Sequence, residues 1–572
     1  MNRTAGIFVS LLWASVITTV AAPAAQCQVG NDAQSPAAEE PKRAAAGASE
    51  QQLDRTPVLP PADNIPADLL ALMDRIHVEK IVIEGSTLLS GEELRAIIAP
   101  YEGRDVTVEE LHTLRRELSE AYVRHGYINS GVILPDQKVD AGTVVMKEVR
   151  GSLTNIEVSG NGRLSRAYIT RRIKEQPGEP LRIDRLQESL ELLRQNPLIH
   201  QINARLVPGL KPGESELHVA VKRSHPCRIG IGADNLTSAS TGGERGILSL
   251  GDMNLTGHGD SLNVDLGVSG GRGIGSVVYS IPLNGRNTAL QAEFALDHAR
   301  IIEEPFDEID IKSRTSRGAL FLLHPWILHP NRSLVTSVGL ERRHSASTLL
   351  GVPFSFSAGD REGKSDTTVI NAGVEYGARG PNQVLVVRGT LRRGVDLFNA
   401  TINDNAPDGR FTAFLGQAQY ARRLGPNGSE ILFRWTGQLS ADPLLALEKM
   451  PVGGFNTVRG YRENQFVRDD GQAASVEWRL AIRRMRLGEG FSPLNLQVAP
   501  FVDFGSSWDL KTNLANSAAE NIYSSGLGLL WNPVPGLRAD VYWGHAFRDV
   551  GNPGDNLQDK GFHFRFQYTY SF

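Results

Sequence analysis

Cysteine is almost missing from this chain: Cys27 and Cys227 are the only two in 572 residues. Two thiols are too few for a disulfide framework, and both read as isolated, with a single bridge between them left open. Gln26 stands before Cys27 where a lipid-anchor site wants a small residue, so no lipoprotein is indicated. Long apolar runs are missing too. Beyond the first 25 residues no stretch approaches the roughly 18 apolar residues that a membrane-crossing helix needs, so any span has to be made of strands. Charge of one sign is absent, with 60 Lys and Arg against 64 Asp and Glu and a net charge of −4. That balance offers no nucleic acid a partner. No nucleotide loop, metal-ligand spacing or nucleophile–base arrangement rises above chance, so neither an enzyme nor a cofactor is expected. Histidines such as His324, His329 and His545 read as loop or interface residues.

What is present begins with Arg3, an apolar run from Ala5 to Val20, and the small residues Ala21 to Ala25. That order reads as a secretory signal peptide over 1–25, cut near Ala24 or Ala25. Residues 26–75 are rich in Ala, Pro, Glu and Gln and read as an extended linker.

An internal repeat follows. IVIEGSTLLSGEELRAII (81–98) recurs as IEVSGNGRLSRAYITRRI (156–173), aligning Gly85 with Gly160, Leu89 with Leu164 and Ile98 with Ile173. Such self-similarity predicts two copies of one α+β module, over 76–151 and 152–225, each running strand, helix, helix, strand, strand. In the first copy Thr107 and Glu110 form a capping box ahead of the stripe Leu111, Leu114 and Leu118. In the second, Asp184 and Gln187 take those places ahead of Leu186, Leu190 and Leu193. Both stripes read as core.

From residue 226 onward helical periodicity vanishes. Short alternating segments start near 228, 244, 260, 273, 287, 313, 333, 365, 382, 409, 429, 471, 494, 518, 537 and 561. LNVDLGVS shows the pattern, with Leu262, Val264, Leu266 and Val268 on one face and Asn263 and Asp265 on the other. Tight turns alternate with long polar loops at 346–364 and 442–470, the asymmetry of outer-membrane barrels. The last segment, GFHFRFQYTYSF, places an aromatic at every second residue from Phe562 to Phe572. Alone it suits a sandwich core or a lipid face; after fifteen similar strands it reads as the closing strand of a barrel. The predicted fold is mainly β: a 16-stranded antiparallel transmembrane β-barrel over 226–572, preceded by two α+β modules.

Three stretches then resemble one family. AYVRHGYINSGVILPDQKVDAGTV is similar to the GY…LPxQ…G segment of the two-partner (type Vb) secretion transporters, at Gly126, Tyr127, Leu134, Pro135 and Gln137. These are the TpsB proteins of the haemolysin secretion/activation ShlB/FhaC/HecB family, within the barrel-assembly superfamily. PVGGFNTVRGY resembles the superfamily's VRGY loop, at Val458, Arg459, Gly460 and Tyr461. FVDFG resembles its partner strand motif, at Phe501, Asp503, Phe504 and Gly505. VRGY alone is a weak match; its place between the eleventh and twelfth strands, with FVDFG on the thirteenth, makes it specific. The resemblance covers roughly residues 76–572. It implies that the modules are periplasmic POTRA domains, that the VRGY loop folds back into the lumen, and that Phe572, Tyr570 and Tyr568 form a C-terminal barrel signal.

Alternation on the thirteenth strand turns Val502 and Phe504 to lipid and Phe501, Asp503 and Gly505 inward. A carboxylate facing the lumen needs water or a cation. Arg459 offers a planar fork for it, and Gly460 allows a close backbone approach. From the residues alone a pair and two separately hydrated charges are equally open. The resemblance implies the pair, set in a partly hydrated lumen.

Many members of this family carry a plug helix at the N-terminus. Residues 36–55 tolerate a helix, yet Leu53 is almost their only apolar residue, so the plug stays open. The function implied is export of an unfolded, TpsA-type exoprotein, haemolysin- or adhesin-like, across the outer membrane without ATP. Outer-membrane lipid, lipopolysaccharide and the barrel-assembly machinery are the other expected partners. An insertase of outer-membrane proteins is the alternative, opposed by the count of two modules. A passive porin leaves the modules without a role.

Overall fold

The computed structural model describes residues 75–572 apart from 86–87, 176–177, 406, 426–427, 483–494, 511–517 and 553. The signal peptide, linker, plug helix and Cys27 fall outside the described residues. No described helix is long and apolar enough to cross a membrane. Two compact units are present, an N-terminal one ending at Ser224 and a barrel that follows.

The N-terminal unit holds both α+β modules. In the first, strands Lys80–Glu84 and Gly131–Ile133 flank a central strand, Thr143–Val149, parallel and antiparallel to it respectively. A small pair, Ile76–Val78 with Arg104–Val106, stands outside that sheet. Helix Val108–Arg124 starts at the Thr107–Glu110 capping box, two reciprocal bonds that satisfy otherwise orphaned amides. It buries Leu111, Leu114 and Leu118.

The second module repeats the plan, with Glu214–Arg223 central between Ser152–Ser159 and Ile199–Pro208. Its capping differs from expectation. Helix Ile183–Arg194 has Arg182 at its N-cap, without a side-chain cap, and Asp184 lies inside the first turn, where it pairs with Arg182 at 2.6 Å. The residue aligned with Thr107 is Arg182, which has no acceptor to cap with.

The barrel is closed and antiparallel. Its strands are β1 (Cys227–Asp234), β2 (Arg245–Asp252), β3 (Ser261–Ser269), β4 (Arg272–Pro282) and β5 (Ala289–Arg300). Three long ones follow: β6 (Lys312–His329), β7 (Arg332–Leu349) and β8 (Lys364–Arg379). Then come β9 (Gln383–Gly394), β10 (Thr412–Leu424), β11 (Ser429–Ser440), β12 (Asp470–Ile482) and β13 (Asn495–Trp508). The last are β14 (Glu520–Asn532), β15 (Leu537–Ala546) and β16 (Phe562–Ser571). Every start lies within three residues of the position read from alternation. β16 pairs with β1 from Arg565↔Asp234 to Ser571↔Arg228, and the Phe572 amide donates to the Cys227 carbonyl at 3.0 Å. No sheet edge is left.

Alternation separates the two faces. Ile229, Leu266, Leu320, Val338, Trp478, Val502 and Tyr568 are exposed on the outside, while Glu293, Arg317, Glu341, Glu477 and Asp503 are buried inside. An apolar girdle around a charged interior has lipid, not water, as its outer solvent. Because the strand count is even, both ends of the barrel chain lie on one side, and the long loop 441–469 between β11 and β12 starts from the other.

Candidate functional site

Loop 441–469 does not project away from the barrel. It forms a hairpin whose stem pairs Met450–Val452 with Phe466–Arg468, and its tip is buried against inward faces of the strands. Val458 packs with Met450, Val452, Tyr461, Ala473 and Ile522, an apolar cluster inside the barrel wall.

Arg459 is the centre of the tip. Its Nε donates to Asp503 Oδ2 at 2.8 Å and its Nη2 to Asp503 Oδ1 at 2.8 Å, a two-pronged pair. Its backbone amide donates to the same Oδ2 at 3.0 Å. Nη1 donates to Glu477 on β12, and Nη2 also to Ser475 Oγ at 2.9 Å. The guanidinium carbon stands 3.6 Å from the Phe501 ring centroid and 4.7 Å from that of Tyr542, within range of cation–π attraction to both. Arg459 and Asp503 are each 1 % exposed, so the partly hydrated lumen expected around the pair is absent. The two rings cover the cation, and the loop itself fills the space that water would occupy. Burial works against the charge of Arg459, but the bonds and field of Asp503, helped by Glu477, prevail and raise its pKa above the usual arginine value.

Gly460 follows at φ +89°, and a Cβ there would lie 2.7 Å from the Gly544 carbonyl oxygen on β15. Its amide donates to His563 Nε2 on β16 at 3.2 Å. Tyr461 donates its hydroxyl to the Tyr523 carbonyl at 3.0 Å and accepts from the Arg548 amide. Gly505 leaves room for the loop, since a Cβ there would lie 2.6 Å from both Val452 and Val458. Phe504 points outward beside Tyr523, its ring centroid 5.5 Å away.

The resemblance did not mark several residues that hold this loop. Glu448, fully buried, accepts from Thr367 Oγ1 at 2.7 Å and pairs with Arg392 and with Arg343 at 3.4 Å. Arg343 also donates to the Leu447 carbonyl at 2.7 Å, and Gln438 to that of Glu448 at 2.9 Å. Glu341 bridges Arg343 to Arg317, extending the charge chain along the wall. Arg462 is clamped between Glu303 at 2.8 Å and Asp559. Glu463 accepts from the Phe455 amide at 2.6 Å, and its own amide donates to Gln558. Burial pushes the Glu463 carboxyl up to about 7, with the Phe455 amide countering only in part. Strand alternation is the signal that could have turned Glu477 and Glu341 inward, though neither was singled out; nothing in the local sequence marks Glu448.

The first-module motif lies elsewhere, in the N-terminal unit. Gly126, at φ +86°, ends helix Val108–Arg124, and its carbonyl accepts from the Ile183 amide of the second module at 3.0 Å. The Tyr127 ring lies 6.0 Å from the Arg182 guanidinium. Beside them Asn129 donates to the Gly213 carbonyl at 3.0 Å, and Ser130 accepts from the Gly151 amide at 2.8 Å. Leu134 packs on the first core, and past Pro135 the Gln137 side chain bonds both the amide and the carbonyl of Val145. It thereby covers a sheet edge where the strand Gly131–Ile133 has ended. Phe572, Tyr570 and Tyr568 lie exposed on the lipid face of the C-terminal end. No cluster of metal-ligating side chains occurs among the described residues.

Comparison with known proteins accords with this architecture. Residues 76–151 match the POTRA domain of ShlB type. The heme/hemopexin transporter protein HuxB of Haemophilus influenzae is 23 % identical over 82 % of this chain and 81 % of its own length. The outer membrane transporter CdiB of Dickeya dadantii is 24 % identical over 68 % of this chain and 69 % of its own. The solved structure of CdiB from Escherichia coli superposes with a TM-score of 0.64 at 18 % identity, over 90 % of this chain and 95 % of that one. The barrel sits in the outer membrane, with its POTRA domains in the periplasm. Residues 213–530, more than half the chain, match the haemolysin secretion/activation protein family ShlB/FhaC/HecB, and the chain belongs to that family.

Proposed function

We propose that this protein captures an unfolded exoprotein in the periplasm through its POTRA domains and exports it through the barrel lumen. The observation that carries this reading is the dry Arg459 pair with Asp503 and Glu477, which holds a loop inside the lumen that a passing chain would need. A passive porin needs no such closure, and two modules whose outer strands have no further strand partner among the described residues suit capture of extended segments. In this reading Val458, Arg459, Gly460 and Tyr461 with Phe501, Asp503 and Gly505 form the lock of the resting state. The Gly126–Tyr127 segment fixes the angle between the modules, and Leu134, Pro135 and Gln137 shape the first one. No nucleotide is required, because folding outside the cell withdraws the exported chain from equilibrium.

The cargo is a TpsA-type exoprotein. HuxB is named for heme and hemopexin and other relatives for different cargoes, so the choice of cargo rests with the modules. Phe572, Tyr570 and Tyr568 serve as the signal read by the barrel-assembly machinery. The test is removal of residues 76–151 in a host that also expresses a TpsA-type exoprotein exported by the intact protein. Export should stop while the barrel remains heat-modifiable and conducting; continued export would move capture out of this domain.

A further inference from the structure

The long strands β6, β7 and β8 carry cations on their outward faces above the apolar girdle. On β7 the outward residues pass from Val338 and Leu340 to Arg342 and His344. On β6 they pass from Lys312 and Arg314 to Leu320 and Leu322, read from the outer end. β8 begins at exposed Lys364 and reaches the girdle at Ile370. β5 ends on exposed Arg300, beyond Phe294. Register joins these strands into one surface, since Arg300 pairs with Lys312, His298 with Arg314, and Ala346 with both Arg314 and Lys364.

Two features separate this band from an ordinary hydrated face. It is one-sided: among the described residues, no outward-facing position of β11 to β16 is a lysine or arginine. It also carries more cation than anion. Asp310 is shared between Arg300 at 3.1 Å and Lys312 at 2.6 Å, and Asp366 between Arg342 at 3.4 Å and His344 at 3.0 Å. Among the described residues, no carboxylate pairs with the Arg314 guanidinium or the Lys364 ammonium. At roughly 3.3 Å per residue along a tilted strand, the cations begin several Å above the last girdle residue and continue for about 15 Å. That is the depth of the headgroup and inner sugars of the outer leaflet.

We propose that the outward faces of β5 to β8 bind the phosphate groups of lipopolysaccharide, at lipid A and the inner core, with Leu320, Leu340 and Ile370 against its acyl chains. Arginine suits this ligand because its planar fork matches phosphate oxygens. A docked glycolipid would hold the wall that also carries Arg343 and Arg392 on its inner side.

The test uses the full-length protein in detergent with fluorescent Kdo2-lipid A as probe. Arg314→Gln, Arg342→Gln and Lys364→Gln, combined, should weaken binding by at least tenfold, at roughly fivefold for each cation near an anionic surface. Dephosphorylated lipid A should bind the wild type as weakly as phosphorylated lipid A binds the triple variant. Arg314→Gln alone, a change at an exposed position, should weaken binding severalfold and keeps the test open if the triple variant fails to show heat-modifiable migration. Equal affinity of variant and wild type, or equal binding of the dephosphorylated probe, would overturn the site. So would complete displacement by millimolar inorganic phosphate, which would mark a free-anion site.

Discussion

Glu448 and Arg459 belong to one loop and carry opposite charges into opposite settings. Glu448 is buried against Arg343 on β7 and Arg392 on β9, whereas Arg459 is buried against Glu477 on β12 and Asp503 on β13. The loop is therefore pinned to the barrel wall at two separate places. Each pin leaves charged partners behind when it is removed, and that sets the size of the mutational effects.

Arg459→Ala strands the buried Asp503 carboxylate and takes one of two arginines from Glu477, which keeps Arg479 at 2.6 Å, and should cost the docked loop about 3–5 kcal/mol. Asp503→Ala leaves Arg459 paired with Glu477 and should cost less. The double variant should be no worse than Arg459→Ala, because the interaction is already gone. Arg459→Lys should rescue little, as one ammonium cannot bond both carboxylates and fill the space between the Phe501 and Tyr542 rings. Export of the exoprotein and single-channel conductance are the readouts, with heat-modifiable migration as the folding control. Strictly additive defects would dissolve the lock.

Glu448→Gln should loosen the other pin. It retains a bond to Thr367 but leaves Arg343 and Arg392 facing each other with Glu341 as their remaining carboxylate. Higher or noisier conductance is expected, together with reduced export. Combined with Asp503→Ala the effects should add if the two pins act separately. Conductance identical to wild type would leave Glu448 a packing residue.

Much of this could be read from the sequence, for a physical reason. Strand alternation survives in any barrel, so all sixteen strands could be placed, and the inward turn of Phe501, Asp503 and Gly505 follows from the outward turn of Val502. The dryness of the site could not be read. It arises because β12, β13 and β15 bring Glu477, Phe501 and Tyr542 around one guanidinium, and period two says nothing of which strands meet. Glu448 escaped for the same reason, since its partners lie 56 to 105 residues before it. The cap of the second module was misread because a repeated leucine stripe does not carry a repeated cap: Thr107 aligns with Arg182.

Gly460 and Gly505 should tolerate no side chain. Gly460→Ala sets a Cβ against the Gly544 carbonyl and strains a left-handed backbone, while Gly505→Val drives methyls into Val452 and Val458. Both should undock the loop at a cost of about 1–3 kcal/mol without opening the strand ladder. Protease accessibility of the loop should rise in each variant, and migration of the folded barrel should not change.

Docking of the loop should also depend on pH through Glu463. Buried in the docked loop, its carboxyl is pushed up to about 7, whereas a solvent-exposed glutamate titrates near 4.5. Between those values the docked state holds a proton that the undocked state has lost, so docking weakens as pH rises through the window. Below about 4.5 both states are protonated and above about 7 both are ionised, so the dependence flattens at either end. The carboxyl accepts from the Phe455 amide, with His563 Nδ1 at 3.9 Å from it and Arg245 and Asp234 nearby. Single channels should be quieter at pH 5 than at pH 8. Glu463→Gln keeps an acceptor for the Phe455 amide but cannot ionise, so it should hold the quieter behaviour across that range. A wild-type channel indifferent to pH between 5 and 8, or a glutamine variant with the same dependence, would assign the loop's stability to the Arg459 and Glu448 pins alone.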